Sequence, residues 1–337
     1  KYLSGGLGHT IDIVAILATI VGLSVTIGYG VSQFASGLFN ITQFDWLVGE
    51  NSQPTIGAQL LGLLLIIGAS CLSAMSGLHK GIKWLSNINM ILSMVLILFF
   101  MLFGASVFAF KTFFITIYDY LLALPEMSFT VWNSNDSEII GKLQSWQSSW
   151  TIFYWAWWIA FAPFVGIFLA RVSKGRTIRE YVFGAIIVPS LICLVWFAFI
   201  GGTAIDLELS GEAQGSIINT DISNQLFATV NLITSEGFAA TLSLIIVILL
   251  LTFLITSADS GILIINTLAS GGSSDRREVK HIIVWGVIFA SLIGTLLFAG
   301  GMDALRSVMI IGALPFSIVM VLMGISFLKT CLEDKDY

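Results

Sequence analysis

Apolar residues in this chain run in long unbroken blocks instead of alternating in short pieces, and eight blocks stand out: Ile11 to Leu38, Gly57 to Ala74, Ile88 to Phe110, Trp150 to Ala170, Tyr181 to Thr203, Phe238 to Ala258, Ile282 to Ala299 and Val308 to Leu328. Each has about 18 to 28 residues, enough for a helix to cross a hydrocarbon core of about 30 Å. Lipid offers no partner to backbone N–H and C=O groups, so blocks of this length predict transmembrane helices, not strands of a barrel. The sixth block continues to Ala269 beyond a polar interruption. Two segments between blocks are long. Residues 111–149 open on an amphipathic stretch, with Phe113, Phe114, Ile117, Tyr120, Leu121 and Leu124 recurring at helical spacing. Such a helix lies in the membrane interface, packs on a neighbouring subunit, or forms a lid over the bundle. Residues 204–237 are polar and acidic and predict an exposed loop with one short helix. The whole of 1–337 is predicted to be a single all-α membrane domain.

Composition strengthens this reading. The 337 residues are 57% hydrophobic and 10% charged, against about 25% charged for a soluble domain. The net charge of −5 says less than the placement of Lys and Arg. One set of loops carries His79, Lys80 and Lys83; Arg171, Lys174, Arg176 and Arg179; Arg276, Arg277 and Lys280; and Lys329 and Lys335. The other set carries Asp45 and Glu50; Lys111 and Lys142 among acids; Asp206, Glu208, Glu212, Asp221 and Glu236; and Arg306. The first set is predicted to be cytoplasmic, which puts both ends of the chain inside. Cys71, Cys193 and Cys331 lie far apart without CxxC spacing, so no disulfide framework or zinc site follows. His9, His79 and His281 are scattered, which argues against a transition-metal site. No nucleophile motif or paired catalytic carboxylates stand out, so an enzyme is not expected. The basic residues follow membrane topology and do not form a nucleic-acid surface. The chain begins at Lys1 and reads as a piece of a longer protein.

Three constellations carry candidate chemistry. In Trp150-Thr-Ile-Phe-Tyr154-Trp155-Ala-Trp157-Trp158-Ile-Ala-Phe161-Ala-Pro163-Phe164, the residues Trp150, Tyr154, Trp157, Trp158, Phe161 and Phe164 fall in a helical stripe about 120° wide, with Trp155 at its edge. An aromatic belt at the membrane boundary is one reading. The stripe, however, reaches about 16 Å inward from Trp150 to Phe161. That depth favours a stripe facing the bundle interior, where indole faces attract a quaternary ammonium that has no N–H to donate. Pro163 kinks this helix or is simply tolerated in it. The second constellation is Phe253-Leu-Ile-Thr256-Ser257-Ala-Asp259-Ser260-Gly261, whose hydroxyls and carbonyls either ligate a small hard cation or hydrogen-bond between helices. Asp259 is expected near a span end, paired with a cytoplasmic Arg or Lys such as Arg171 as a gate. The third is Thr19 with Gly22, Ser24, Thr26, Gly28 and Gly30, small residues that predict close helix packing.

The tryptophan run, followed by Ala162-Pro-Phe-Val-Gly-Ile-Phe-Leu-Ala-Arg171-Val-Ser-Lys-Gly-Arg-Thr-Ile-Arg-Glu180, resembles the signature of the betaine/choline/carnitine transporters. Gly8-His-Thr-Ile-Asp-Ile-Val-Ala-Ile-Leu-Ala-Thr19, Thr256-Ser-Ala-Asp-Ser-Gly261, Gly300-Gly-Met-Asp-Ala-Leu305 and Leu314-Pro-Phe316 are similar to further patterns of that family, in order along nearly the whole chain. The resemblance implies a LeuT-like inverted-repeat core, with this chain corresponding to spans five to twelve of twelve. It implies secondary symport of glycine betaine or choline across a bacterial cytoplasmic membrane, coupled to sodium or protons. Trp158 would then belong to the aromatic box, with Trp157, Phe161, Trp155 and Tyr154 along the path. Phe161 stands where the family often has Trp. Thr256 and Ser257, helped by the Phe253 carbonyl, would hold a sodium ion. A second cation position would use Thr19 and Phe164, with Leu23 in place of a hydroxyl residue. The stretch after Lys111 is similar to the interfacial helix that bridges protomers in family homotrimers. Carriers or exchangers of carnitine-like or sulfonium solutes, and an osmosensor without flux, are the alternatives.

Overall fold

A computed structural model describes residues 5–49, 52–76, 81–133, 138–271 and 279–333. The long apolar blocks all become helices, because only a helix satisfies every backbone hydrogen bond within its own segment. They are α1 (Gly6–Thr42), α2 (Ile56–Ser76), α3 (Gly81–Phe103), α4 (Ser106–Phe129), α5 (Glu138–Val172), α6 (Ile178–Leu209), the short α7 (Gln225–Ile233), α8 (Glu236–Ala269) and α9 (Val279–Glu333). Among the described residues, eight helices are long and apolar enough to cross a membrane, all but α7.

Several boundaries differ from those expected. The third block does not reach Phe110. The chain turns a corner at Gly104 and Ala105, where the Ala105 N–H donates to Thr203 Oγ1 over 3.1 Å, and α4 starts at once. Helix α5 begins at Glu138, twelve residues ahead of Trp150. Pro163 is buried inside it without ending it. The polar interruption at Thr256 does not break α8, which runs on to Ala269. The seventh and eighth blocks lie in α9, which breaks at Gly300 and Gly301; Gly301 takes φ 61°, a left-handed value that glycine adopts without strain. Helix α6 widens into π turns at Phe183–Ile187 and Phe197–Gly201. The first of these relieves the clash that the Pro189 ring would make with the carbonyl one turn earlier.

Helix α1 is the axis of the bundle. Ala18 to Val25 are buried without a break, so this helix has no solvent or lipid face along that stretch. Its glycines are where its neighbours come closest. A Cβ on Gly22 would lie 2.9 Å from Ala160 Cβ of α5, on Gly28 2.5 Å from Leu305 of α9, and on Gly30 2.2 Å from Leu254 of α8. The packing expected of these small residues is therefore present. The main core, which includes Leu23, Ile27, Ile66, Phe153, Ala160, Phe289 and Met309, surrounds α1. A second core gathers Phe34, Phe100, Phe199, Phe227 and Ile246. Helix α4 joins the second core only through Ala109, its one buried residue.

The acidic stretch after α6 is more ordered than an exposed loop. The Glu208 carboxylate accepts the N–H groups of Gly215 (3.0 Å), Ile217 (3.0 Å) and Ile218 (2.8 Å). Leu207, Ala213 and Ile217 form a small core beneath it. Ser36 and Asn40 of α1 reach Ser223 and Asn224 at 2.7 Å. Replacing Glu208 by alanine frees three backbone donors. Hydrogen exchange at Gly215, Ile217 and Ile218 is expected to speed up by about tenfold or more, from charge-assisted bonds worth about 1.5–3 kcal/mol each. Exchange within twofold of the parent would refute the role given to this carboxylate.

Candidate functional site

The aromatic residues of α5 form a column, though not with the membership expected. Ring centroids step from Phe164 to Phe161 (6.0 Å), Phe161 to Trp157 (6.4 Å), Trp157 to Phe153 (5.2 Å) and Phe153 to Trp150 (6.3 Å), with Tyr154 joining Trp157 at 6.2 Å and Trp150 at 5.9 Å. The column extends about 21 Å along the helix axis. Tyr29 of α1 stacks on Trp157 at 6.1 Å and 26°. The Trp157 Nε1–H donates to Thr26 Oγ1 over 3.2 Å, which fixes the indole against α1.

Trp158 and Trp155 stand outside this column, 70% and 67% exposed, and Tyr154 is 48% exposed. The expectation that the whole stripe faces the bundle is corrected here. The seam of α5 against its neighbours is Phe153, Ala156, Ala160 and Pro163. Trp158 lies two residues from both alanines, about 200° around the helix, and so points away from the seam. Among the described residues neither exposed indole has a hydrogen-bond partner. The alanines four apart were the available signal, since small residues mark close helix approach. Tyr29 and Phe153 also belong to the column without having been singled out.

The second constellation lies on α8 beside α1. Contacts of Gly261 with Leu23 and of Gly30 with Leu254 set an antiparallel register between these helices. Thr256 is then level with Gly28, within a turn of the Trp157 contact at Thr26. The hydroxyl of Thr256 donates to the Phe253 carbonyl at 3.0 Å, so two of the proposed oxygen ligands are adjacent. Ser257 is half-buried beside them and Phe253 is exposed. Thr19 is buried and donates to the Ala15 carbonyl at 2.8 Å. It shares a level with Phe164 on the α1–α5 register but lies about nine residues of α1, roughly 13 Å, from the level of Thr256. The structure thus keeps the two cation candidates apart.

Asp259 is corrected as well. It lies ten residues before the end of α8 and is fully buried, not placed at a span end. Ser73 Oγ of α2 donates to its Oδ2 at 2.5 Å, while Oδ1 has no hydrogen-bond partner among the described residues. Arg171 is exposed in the last turn of α5, and among the described residues no basic side chain forms an ion pair with Asp259. Among the described residues the gate pair, Asp259 with Arg171, is therefore not formed. Of the basic and acidic residues used for orientation, Glu50, His79, Lys80, Arg276, Arg277 and Lys335 lie outside the described residues, as does the side chain of Lys83.

One cavity of about 660 Å³ opens at the Trp150 end of the column, within the range of small-molecule sites. It is lined by Tyr29, Gln33, Gln59, Asp221, Asp303 and Arg306 among others. Its walls come from the segments around Gln53, around Asp221 and around Gly300, loops that charge placement assigns together to the outside. Among the described residues no group of His, Cys, Asp and Glu could hold a metal ion.

Comparison with known proteins places these features in context. A sequence model of the betaine/carnitine/choline family of transporters matches residues 1–336. The glycine betaine transporter OpuD of Bacillus subtilis is 38% identical over 333 residues, which cover 98% of this chain and 61% of that protein. An ectoine/hydroxyectoine transporter of Virgibacillus pantothenticus is 37% identical over 324 residues, 96% of this chain and 61% of its own length. A glycine betaine/proline/choline transporter of Vibrio parahaemolyticus is 34% identical over 330 residues, 98% of this chain and 56% of the other. The chain spans less than two thirds of each of these relatives.

Proposed function

Since this chain belongs to the betaine/carnitine/choline family of transporters, we propose that it carries the greater part of a secondary symporter for a methylated ammonium compatible solute, glycine betaine or choline. One observation carries the reading: a continuous column of aromatic rings from Trp150 to Phe164, backed by Tyr29, crosses the bundle beside its central helix. Ring faces attract a cation that cannot donate a hydrogen bond, and they do so more strongly away from water. Trp157 and Phe161 supply the ordered wall. Trp158, Trp155 and the exposed part of Tyr154 offer ring surface that nothing among the described residues covers, where a solute or further residues of a longer protein close the cage. An indole N–H facing hydrocarbon finds no acceptor there, which favours a polar neighbour that can accept.

In this reading Thr256, Ser257 and the Phe253 carbonyl take the coupling sodium ion, within one turn of α1 of the Trp157 wall. Ion and solute then favour the same state of the bundle, the requirement for coupling. Thr19 and Phe164 form a separate position. Helix α4, almost wholly exposed and apolar, would serve as the interfacial helix of a homotrimer. The charge rule places the cavity and the Trp150 end of the column outside, in the cytoplasmic membrane of a bacterium.

Uptake of radiolabelled choline and glycine betaine by the full-length protein, with sodium replaced by potassium, tests this. Sodium removal is expected to abolish uptake, and a protein with Thr256→Ala and Ser257→Ala to need at least tenfold more sodium for half-maximal rate. A sodium response identical to the parent would remove the cation assignment. Solute binding with no flux would favour a sensor.

A further inference from the structure

Among the described residues, Asp259 is the only charged side chain that the bundle buries. It lies about 15 Å from the end of α8. A buried charge is paired or holds a metal ion, and a carboxylate inside a membrane span marks an ion or proton position. Asp259 takes part in none of the ion pairs among the described residues. Cys71 of α2, a titratable neighbour, carries no positive charge in either of its forms. Oδ2 accepts from Ser73 Oγ at 2.5 Å, and Oδ1 is buried with no hydrogen bond. One turn back along both helices, Ser70 Oγ of α2 donates to the Ile255 carbonyl of α8 over 3.2 Å. Two hydroxyl oxygens, a carbonyl and a carboxylate thus line one dry seam between α2 and α8. Ala74, Ile262, Leu263 and Ile282 pack together just beyond it.

We propose that Asp259, with Ser73, Ser70 and the Ile255 carbonyl, forms a site for a small hard monovalent cation of the sodium class in the seam between α2 and α8. The site is separate from the ion assigned to Thr256 and Ser257. Ser257 lies two residues before Asp259, about 200° around the helix, and the Thr256 hydroxyl is turned back to the Phe253 carbonyl. Carboxylate, hydroxyl and carbonyl oxygens suit hard cations, whereas transition metals favour nitrogen and sulfur donors. One carboxylate balances one positive charge, so a monovalent ion leaves the seam neutral. The helices around the seam are packed tightly: a Cβ on Gly286 of α9 would lie 2.3 Å from Cys71 Sγ. Such packing favours a small ion. The ion joins α2 to α8, and its binding needs no solute, so it stands apart from the proposed solute class.

Binding of radiolabelled sodium to the purified full-length protein, without solute, tests the site. Thr256→Ala and Ser257→Ala are both present as the background, which takes away the coupling ion. Adding Asp259→Asn keeps the shape and removes the charge. It is expected to lower the affinity for the remaining sodium by about tenfold or more, since ligand charge sets the affinity of such sites. Sodium is also expected to raise the melting temperature of the background protein and to leave that of the Asp259→Asn protein unchanged, because an ion that binds only the folded state stabilises it. Sodium binding within twofold of the background after Asp259→Asn would overturn the proposal and leave the carboxyl group with a proton only. Potassium that competes as well as sodium would remove the small-ion assignment. Where Asp259→Asn does not give folded protein, Ser70→Ala with Ser73→Ala takes two neutral oxygens away, and sodium affinity within twofold of the background again overturns the site. A failure of the Trp158 cage leaves this test untouched, because no solute is present.

Discussion

Trp158→Ala is expected to weaken binding of choline or glycine betaine by tenfold or more while leaving the melting temperature unchanged. The ring is 70% exposed and has no aromatic contact or hydrogen bond among the described residues, so its removal opens no cavity in this chain. What is lost is the ring face, worth about 0.5–2 kcal/mol to a cation and more in a desolvated site. Trp157→Ala makes the contrast. That indole stacks on Tyr29 and donates to Thr26, so its truncation costs stability as well as affinity, about 3–5 kcal/mol for a large aromatic in a packed site. Equilibrium binding and thermal unfolding in detergent distinguish the two. Unchanged affinity in Trp158→Ala would place the solute elsewhere.

The second large effect is structural. Gly22→Val forces carbon atoms into the contact between α1 and α5. The first added carbon lies 2.9 Å from Ala160 Cβ, 3.1 Å from Phe161 and 3.2 Å from the Ala160 backbone. Backbone cannot rotate away, so the helices must separate. Overpacking of this kind costs about 1–3 kcal/mol, and it acts one turn from the bond between Trp157 and Thr26. A lowered melting temperature is expected together with loss of uptake. Gly68→Ala is the milder comparison, because a Cβ there would meet no atom within 4 Å. A Gly22→Val protein that melts and transports like its parent would show that this approach is not needed.

The helical blocks, the family and the aromatic run were legible in the sequence because each depends on local residue type. A membrane span follows from length and apolarity alone. The packing role of Gly22, Gly28 and Gly30 was equally readable. Orientation around α5 was not. A stripe 120° wide covers Trp157 and Trp158 alike, and only the Ala156–Ala160 seam decides which of them touches α1. Asp259 was misplaced for a related reason. Polar residues suggested a span end, yet Thr256 bonds back to its own helix and Ser73 from α2 meets the carboxylate, so α8 runs on.

Sequence alone determined that this is a multi-pass helical membrane protein with aromatic rings and hydroxyls at particular positions. Backbone satisfaction in lipid leaves such a chain no other form. The tertiary structure decided which rings meet, that Tyr29 and Phe153 join them, and that Arg306 lies among them. Those contacts join α1, α5 and α9 through residues more than a hundred positions apart. No local pattern encodes the register of helices that approach each other through glycine and alanine.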